Sequence, residues 1–165
     1  MVANHLLTLT LSLATVVPQT DQAMGMKSLV GISSLSVGVE ELGADALTDG
    51  LSEDLLKTDV ELRLRLAGIK VPLEFTVPCF QIQIKYWKNR MGQDHIPITY
   101  NFHIAISLMQ YANLFRTGEP MTVVTMQITN YGSGPIGKGS EHVRRSVGDL
   151  IDKFINEYLA VNPKK

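Results

Sequence analysis

Two periodicities divide the chain. Over residues 80–86, Phe80, Ile82, Ile84 and Tyr86 fall on one side, and Gln81, Gln83, Lys85 and Trp87 on the other. This is the alternation of a strand with one buried face. A longer run repeats it, with Tyr100, Phe102, Ile104, Ile106 and Leu108 opposite Asn101, His103, Ala105, Ser107 and Met109. The turn signal Thr117-Gly118-Glu119-Pro120 then predicts a strand over residues 121–129, with Thr122, Val124, Met126 and Ile128 on one face. Residues 29–42 read as an earlier strand, 43–50 as a polar turn region, and Lys70-Val71 as a short strand ended by Pro72.

Helical spacing marks two further segments. The first runs over residues 52–67, with Ser52 as N-cap, Glu53 and Asp54 at the positive end, and a Leu51–Leu56 staple. Gly68 supplies a left-handed stop, and Ile69 folds back on Leu64. Its apolar arc takes in Leu55, Leu56, Val60, Leu62, Leu64, Leu66 and Ala67. The second runs over residues 140–160, capped by Ser140, with Val143, Val147, Leu150, Ile151, Phe154, Ile155 and Tyr158 in register. Asn162-Pro163 stops it, and Lys164 and Lys165 complement its negative end. The predicted order is β-α-β-β-β-β-α. It implies an α+β two-layer sandwich, a mainly antiparallel sheet with both amphipathic helices on one face.

Length adds that residues 24–165 of the 165 form one domain. Residues 6–17 are nearly all apolar and end at Pro18. That run is too short for a bilayer span but suits a signal-peptide core, so residues 1–23 are a candidate signal peptide. The expected location is secreted or periplasmic; a cytoplasmic chain with an ordinary N-terminal element is the alternative. A formal net charge of −1 creates no field that would recruit nucleic acid or an anionic membrane. The single Cys79 excludes an intramolecular disulfide and a cysteine zinc site, and reads as a buried structural thiol. The four histidines show no ligand spacing. No cofactor or metal is expected.

Candidate chemistry is sparse. The run Gly132-Ser133-Gly134-Pro135-Ile136-Gly137-Lys138-Gly139-Ser140 approaches a phosphate-binding loop, but Gly139 stands where Ser or Thr would bind magnesium. No further strands follow it, so it reads as a glycine-rich connection with a weak anion contact at Lys138 and Ser140. Asp59 and Arg63, four residues apart within the apolar arc, read as a structural ion pair. His103 and Ser107 share the open strand face without an acid nearby. Tyr86, Trp87, Lys85, Lys88 and Arg90 mix aromatic and basic residues near a hairpin, a weak match to single-strand binding. Trp87, Met109, Tyr111 and His103 lie on positions the helices leave open, and are expected to form an interface with a protein partner or a second copy.

The segments GLSEDLLKTDVELRLRLAGIKV (residues 50–71) and DKFINEYLAVNPK (residues 152–164) resemble small, uncharacterised bacterial proteins bearing export signals, as does the strand over residues 28–42. The resemblance implies a compact exported α/β domain and brings no reaction. The expected function is a non-enzymatic exported binding or assembly module acting through its open sheet face. The alternatives are a small enzyme or ligand-binding protein with a site near residues 132–140, and a structural subunit of an envelope complex.

Overall fold

The computed structural model describes residues 27–163. Among these lie four strands, β1 (Ser36–Val39), β2 (Cys79–Met91), β3 (Ile96–Asn113) and β4 (Pro120–Pro135). Three helices accompany them: α1 (Ala44–Thr48), α2 (Glu53–Leu66) and α3 (Gly139–Val161). The candidate signal peptide, Lys164 and Lys165 lie outside the described residues.

Strands follow one another across the open sheet in chain order. β2, β3 and β4 form an antiparallel meander, and β1 adds to β2 in parallel after the crossover through α1 and α2. The fold is therefore the expected α+β class, with a mixed sheet. α2 packs on β1, and α3 on β3, β4 and α2. Between helices and sheet lie Val37, Phe80, Ile82, Ile84, Phe102, Ile104, Ile106 and Leu108 from the strands. Leu56, Val60, Leu64, Val143, Val147, Ile151 and Phe154 meet them from the helices. The edge of Phe80 meets Phe154 at a ring separation of 4.6 Å, a favoured aromatic geometry.

Several expectations are corrected. Lys70-Val71 is not a strand: Lys70 makes only an isolated bridge to Ser34, because Pro72 has no N–H with which to extend a ladder. The strand expected over residues 29–42 shrinks to Ser36–Val39. Gly31 takes a left-handed φ of 80°. The segment around it is tied instead to the end of α3, through Tyr158 Oη to the Ile32 carbonyl at 2.8 Å and Asn162 Nδ2 to the Leu29 carbonyl at 2.9 Å. The polar turn region contains α1. The apolar arc of α2 is also narrower than expected, since Leu56, Val60 and Leu64 are buried while Leu55, Leu62 and Leu66 are exposed. Both predicted ends of α2 form: the Leu55 N–H reaches Ser52 Oγ at 3.5 Å, and the Ile69 N–H donates to the Leu64 carbonyl at 3.0 Å beside Gly68 at φ 89°.

β4 departs most from expectation. Thr125 is an extra residue between the pairs Leu108–Met126 and Met109–Val124. This bulge puts Thr122 and Val124 on the face opposite Met126 and Ile128, so the four do not share a side. The glycine-rich run is not a loop over its first part, because β4 continues through Pro135. A Cβ at Gly132 would lie 2.2 Å from Phe102 Cζ, and one at Gly134 2.5 Å from Tyr100 Oη. The rings of β3 occupy the space that side chains of β4 would take. α3 begins at Gly139 with Lys138 as its cap residue, so Ser140 belongs to the first turn and is not the cap. Gly139 is required there because a Cβ would sit 1.9 Å from Tyr86 Oη.

The 18 residues of β3 extend roughly 60 Å, and the 23 of α3 about 35 Å. The hairpins therefore overrun the helices, leaving Met91, Ile96, Leu114 and Phe115 exposed.

Gly132→Ala is expected to destabilise the fold by about 1–3 kcal/mol through overpacking on Phe102. Gly43→Ala, where a Cβ meets nothing within 4 Å, should be nearly neutral. Urea denaturation of both variants checks the contrast.

Candidate binding face

Side chains on the reverse of the sheet follow from the register. Gln81, Gln83, Lys85 and Trp87 of β2 stand beside Ser107, Ala105, His103 and Asn101 of β3. These in turn face Gln127, Thr129, Tyr131 and Ser133 of β4. Farther along, Met109 faces Val124 and Tyr111 faces Thr122. No described helix covers this side. Near β1 it is closed by the segment before β2: the Thr76 N–H donates to Ser36 Oγ at 2.8 Å, and the Phe75 ring lies over Gly38. Cys79 is buried beneath that cover, and burial pushes its thiol pKa up.

The middle of the face is polar, with Gln127 Nε2 donating to Ser107 Oγ at 2.9 Å and Gln83 Nε2 to Glu40 Oε2 at 2.8 Å. Its ends are not. At one, Trp87 (45% exposed) and Tyr131 (71%) bound a groove of about 330 Å³ floored by Asn101, Gly132 and Ser133. Tyr131 stacks on His103 with centroids 4.4 Å apart, and His103 Nε2 is buried without a hydrogen-bond partner. At the other end stand Met109, Val124 (54% exposed) and Tyr111 (70%). The residues expected to form an interface thus share one face, but the eight-residue offset between Asn101 and Met109 places its two apolar ends roughly 27 Å apart.

Asp59 and Arg63 do not pair with each other. Asp59 binds Arg144 at 2.7 Å, and Arg63 binds Asp152 at 2.6 Å. Both bridges cross from α2 to α3, and a Cβ at Gly148 would stand 2.7 Å from Arg63 Nη2, so this glycine clears the route. The pairs flank a groove of about 610 Å³ that includes Ser140. Lys138 is not among its lining residues. His142 faces elsewhere, with Nδ1 2.8 Å from Tyr100 Oη and its ring edge-on to Phe102. Among the described residues, no group of three His, Cys, Asp or Glu is placed to hold a metal ion, and no helix is long and apolar enough to cross a membrane.

A polar cluster on the helix side was not foreseen. Lys88 Nζ, with its side chain 7% exposed, binds Asp49 Oδ1 at 2.5 Å, and Tyr86 Oη donates to Asp49 Oδ2. Arg90 binds Asp45, which also accepts the Lys88 N–H at 2.9 Å. Burial first, then the Asp49 carboxylate, raises the Tyr86 pKa. The Arg90 hydrogen bond first, then the Lys88 N–H, hold Asp45 below its usual range. Two of the three basic residues read as a weak nucleic-acid signal are thus neutralised, Arg90 by Asp45 on α1 and Lys88 by Asp49 just after it. The signal available in sequence was the pair Asp45 and Asp49, one helical turn apart, opposite the same-side residues Tyr86 and Lys88.

No protein-family model and no curated protein matches this chain. Solved structures similar to it include a minor lipoprotein from Acinetobacter baumannii, 15% identical, covering 78% of this chain and 94% of that one with a TM-score of 0.35. PelC from Paraburkholderia phytofirmans, described as a dodecamer, is 14% identical and covers 76% and 86% with a TM-score of 0.41. Rare lipoprotein B from Shewanella oneidensis is 13% identical and covers 77% and 91% with a TM-score of 0.33.

Asp49→Ala leaves a buried ammonium and the Tyr86 hydroxyl without their acceptor, so a loss of about 3–5 kcal/mol is expected in urea denaturation. Because the Asp45 pKa is depressed on folding, its contribution is present above the ordinary value of 3.8 and is lost as pH falls through the lower folded value. The stability gap between the wild type and Asp45→Asn should close across that acidic window, as read from denaturation midpoints against pH.

Proposed function

We propose that the protein is a non-enzymatic, exported binding or assembly module that holds a protein partner on the open face of its sheet. The observation that carries this reading is the pair of large, exposed aromatic side chains Trp87 and Tyr131 on the part of the face that no described helix covers. Amphipathic aromatics of this kind contribute most of the energy in protein interfaces when a partner excludes water from them. Between them, the Asn101 amide and the Ser133 hydroxyl have no partner within the described chain, which leaves them free to orient what docks. Export is supported by the apolar run before Pro18.

The test places a photo-crosslinking residue at position 131 and, as control, at Lys153 on α3, in the full chain expressed in a bacterial host. A discrete adduct is expected from position 131, absent from Lys153 and lost when Trp87→Ala is added. Equal labelling from both positions, or none from position 131, would remove the reading. Mass spectrometry of the protein from the same cells should show a new N-terminus after residue 23; an intact Met1 would remove the export claim.

A further inference from the structure

We propose that the outer edge of β4 pairs antiparallel with β4 of a second copy of this chain, joining two four-stranded sheets into one. Among the described residues, β4 is the last strand of the sheet and bonds only to β3. Its 16 residues, PMTVVTMQITNYGSGP, contain no Lys, Arg, Asp or Glu. Natural sheets protect a free edge with charge, short length, bulges or a covering segment, since its unpaired N–H and C=O groups otherwise recruit a strand. The opposite edge uses such devices. β1 has four residues, is followed directly by Glu40 and Glu41, and is flanked by the segment that carries Phe75 and Thr76. β4 has its bulge at Thr125 and prolines at its two ends, which leaves the stretch from Met126 to Gly134 regular.

The direction of the backbone in that stretch is fixed by one contact. The Tyr131 N–H donates to Asn130 Oδ1 at 2.8 Å, so this amide faces away from β3. By the two-residue period of a strand, Gln127, Thr129 and Ser133 also turn their backbone groups outward. Asn130 satisfies one outward donor and leaves the others open.

Self-pairing fits this edge better than pairing with a foreign strand. A two-fold axis brings each residue against its own strand reversed, so any charge would meet charges of the same set. An edge with no charge meets that condition, whereas a foreign partner is ordinarily selected by complementary charge. With the axis perpendicular to the sheet, both helix layers lie on one side. Both open faces lie on the other, with the two Tyr131 rings flanking the junction.

The experiment is sedimentation equilibrium of the full chain and its variants over a micromolar concentration series. The wild type should reach twice the 18.2 kDa chain mass. The Thr129 side chain is exposed on the open face, so Thr129→Lys should fold normally and raise the dimer dissociation constant about tenfold or more. An equimolar mixture with Thr129→Glu should restore the dimer. Thr129→Pro, which removes an outward N–H and spares the β3 ladder, should also give monomer. Trp87→Ala, on β2, should leave the dimer intact, which separates this proposal from the open-face reading. A monomer at every concentration, or a dimer indifferent to both Thr129 substitutions, overturns it. If either variant fails to fold, amide exchange of the wild type decides: concentration-dependent protection at Gln127, Thr129 and Ser133 supports the pairing, and its absence overturns it.

Discussion

The contact on which the rest of this structure depends is the seating of α3 on the central rows of the sheet. Phe154 against Phe80, with Val147 and Ile151 beside it, removes the largest apolar side chains of both layers from water. Each such side chain contributes about 1.5–3 kcal/mol when fully buried. Because the apolar stripe of α3 and the inward rows of β2 and β3 are each one-sided, satisfying one satisfies the other. Apolar demand on the reverse is left only locally, beside β1 under Phe75 and at the two ends that carry Trp87 with Tyr131 and Val124 with Tyr111. The open face is thus a direct result of one-sided strand chemistry.

The same one-sidedness explains the placement of polar groups. On the helix side, where β2 runs past the core, the strand continues its inward positions with Lys88, and Asp49, the residue that caps the end of α1, meets it. A lysine 7% exposed is tolerated only because a carboxylate and a tyrosine hydroxyl close the network around it. α1 therefore acts as an electrostatic plug for an overlong strand. The bridges Asp59–Arg144 and Arg63–Asp152 do something different. They are half-exposed, contribute little energy, and set how α2 lies against α3.

Where burial decided structure, the sequence was legible. The alternation over residues 80–86 and 100–108, the ends of α2 and the stripe of α3 all appear as expected, because each is dictated by local periodicity or capping chemistry. What escaped was set by tertiary contact. Gly132 and Gly134 look like loop residues until Phe102 and Tyr100 are seen filling their places. Thr125 looks like one more member of an alternation until the register shows it to be extra. Asp59 and Arg63 have the spacing of an intrahelical pair, yet each finds a better-placed partner on α3. The shared face of Trp87, His103, Met109 and Tyr111 followed from parity alone. The division of its apolar content between two distant ends, and the contribution of Tyr131, needed the pairing of β4.

The glycine windows of β4 bind two strands into one unit of inheritance. Phe102 can keep its ring only while residue 132 has no side chain, and Tyr100 imposes the same demand on residue 134. A lineage that enlarges either small position must shrink the facing aromatic in the same step or pass through a poorly folded intermediate. Across descendants of this chain, 102 with 132 and 100 with 134 should therefore drift as couples.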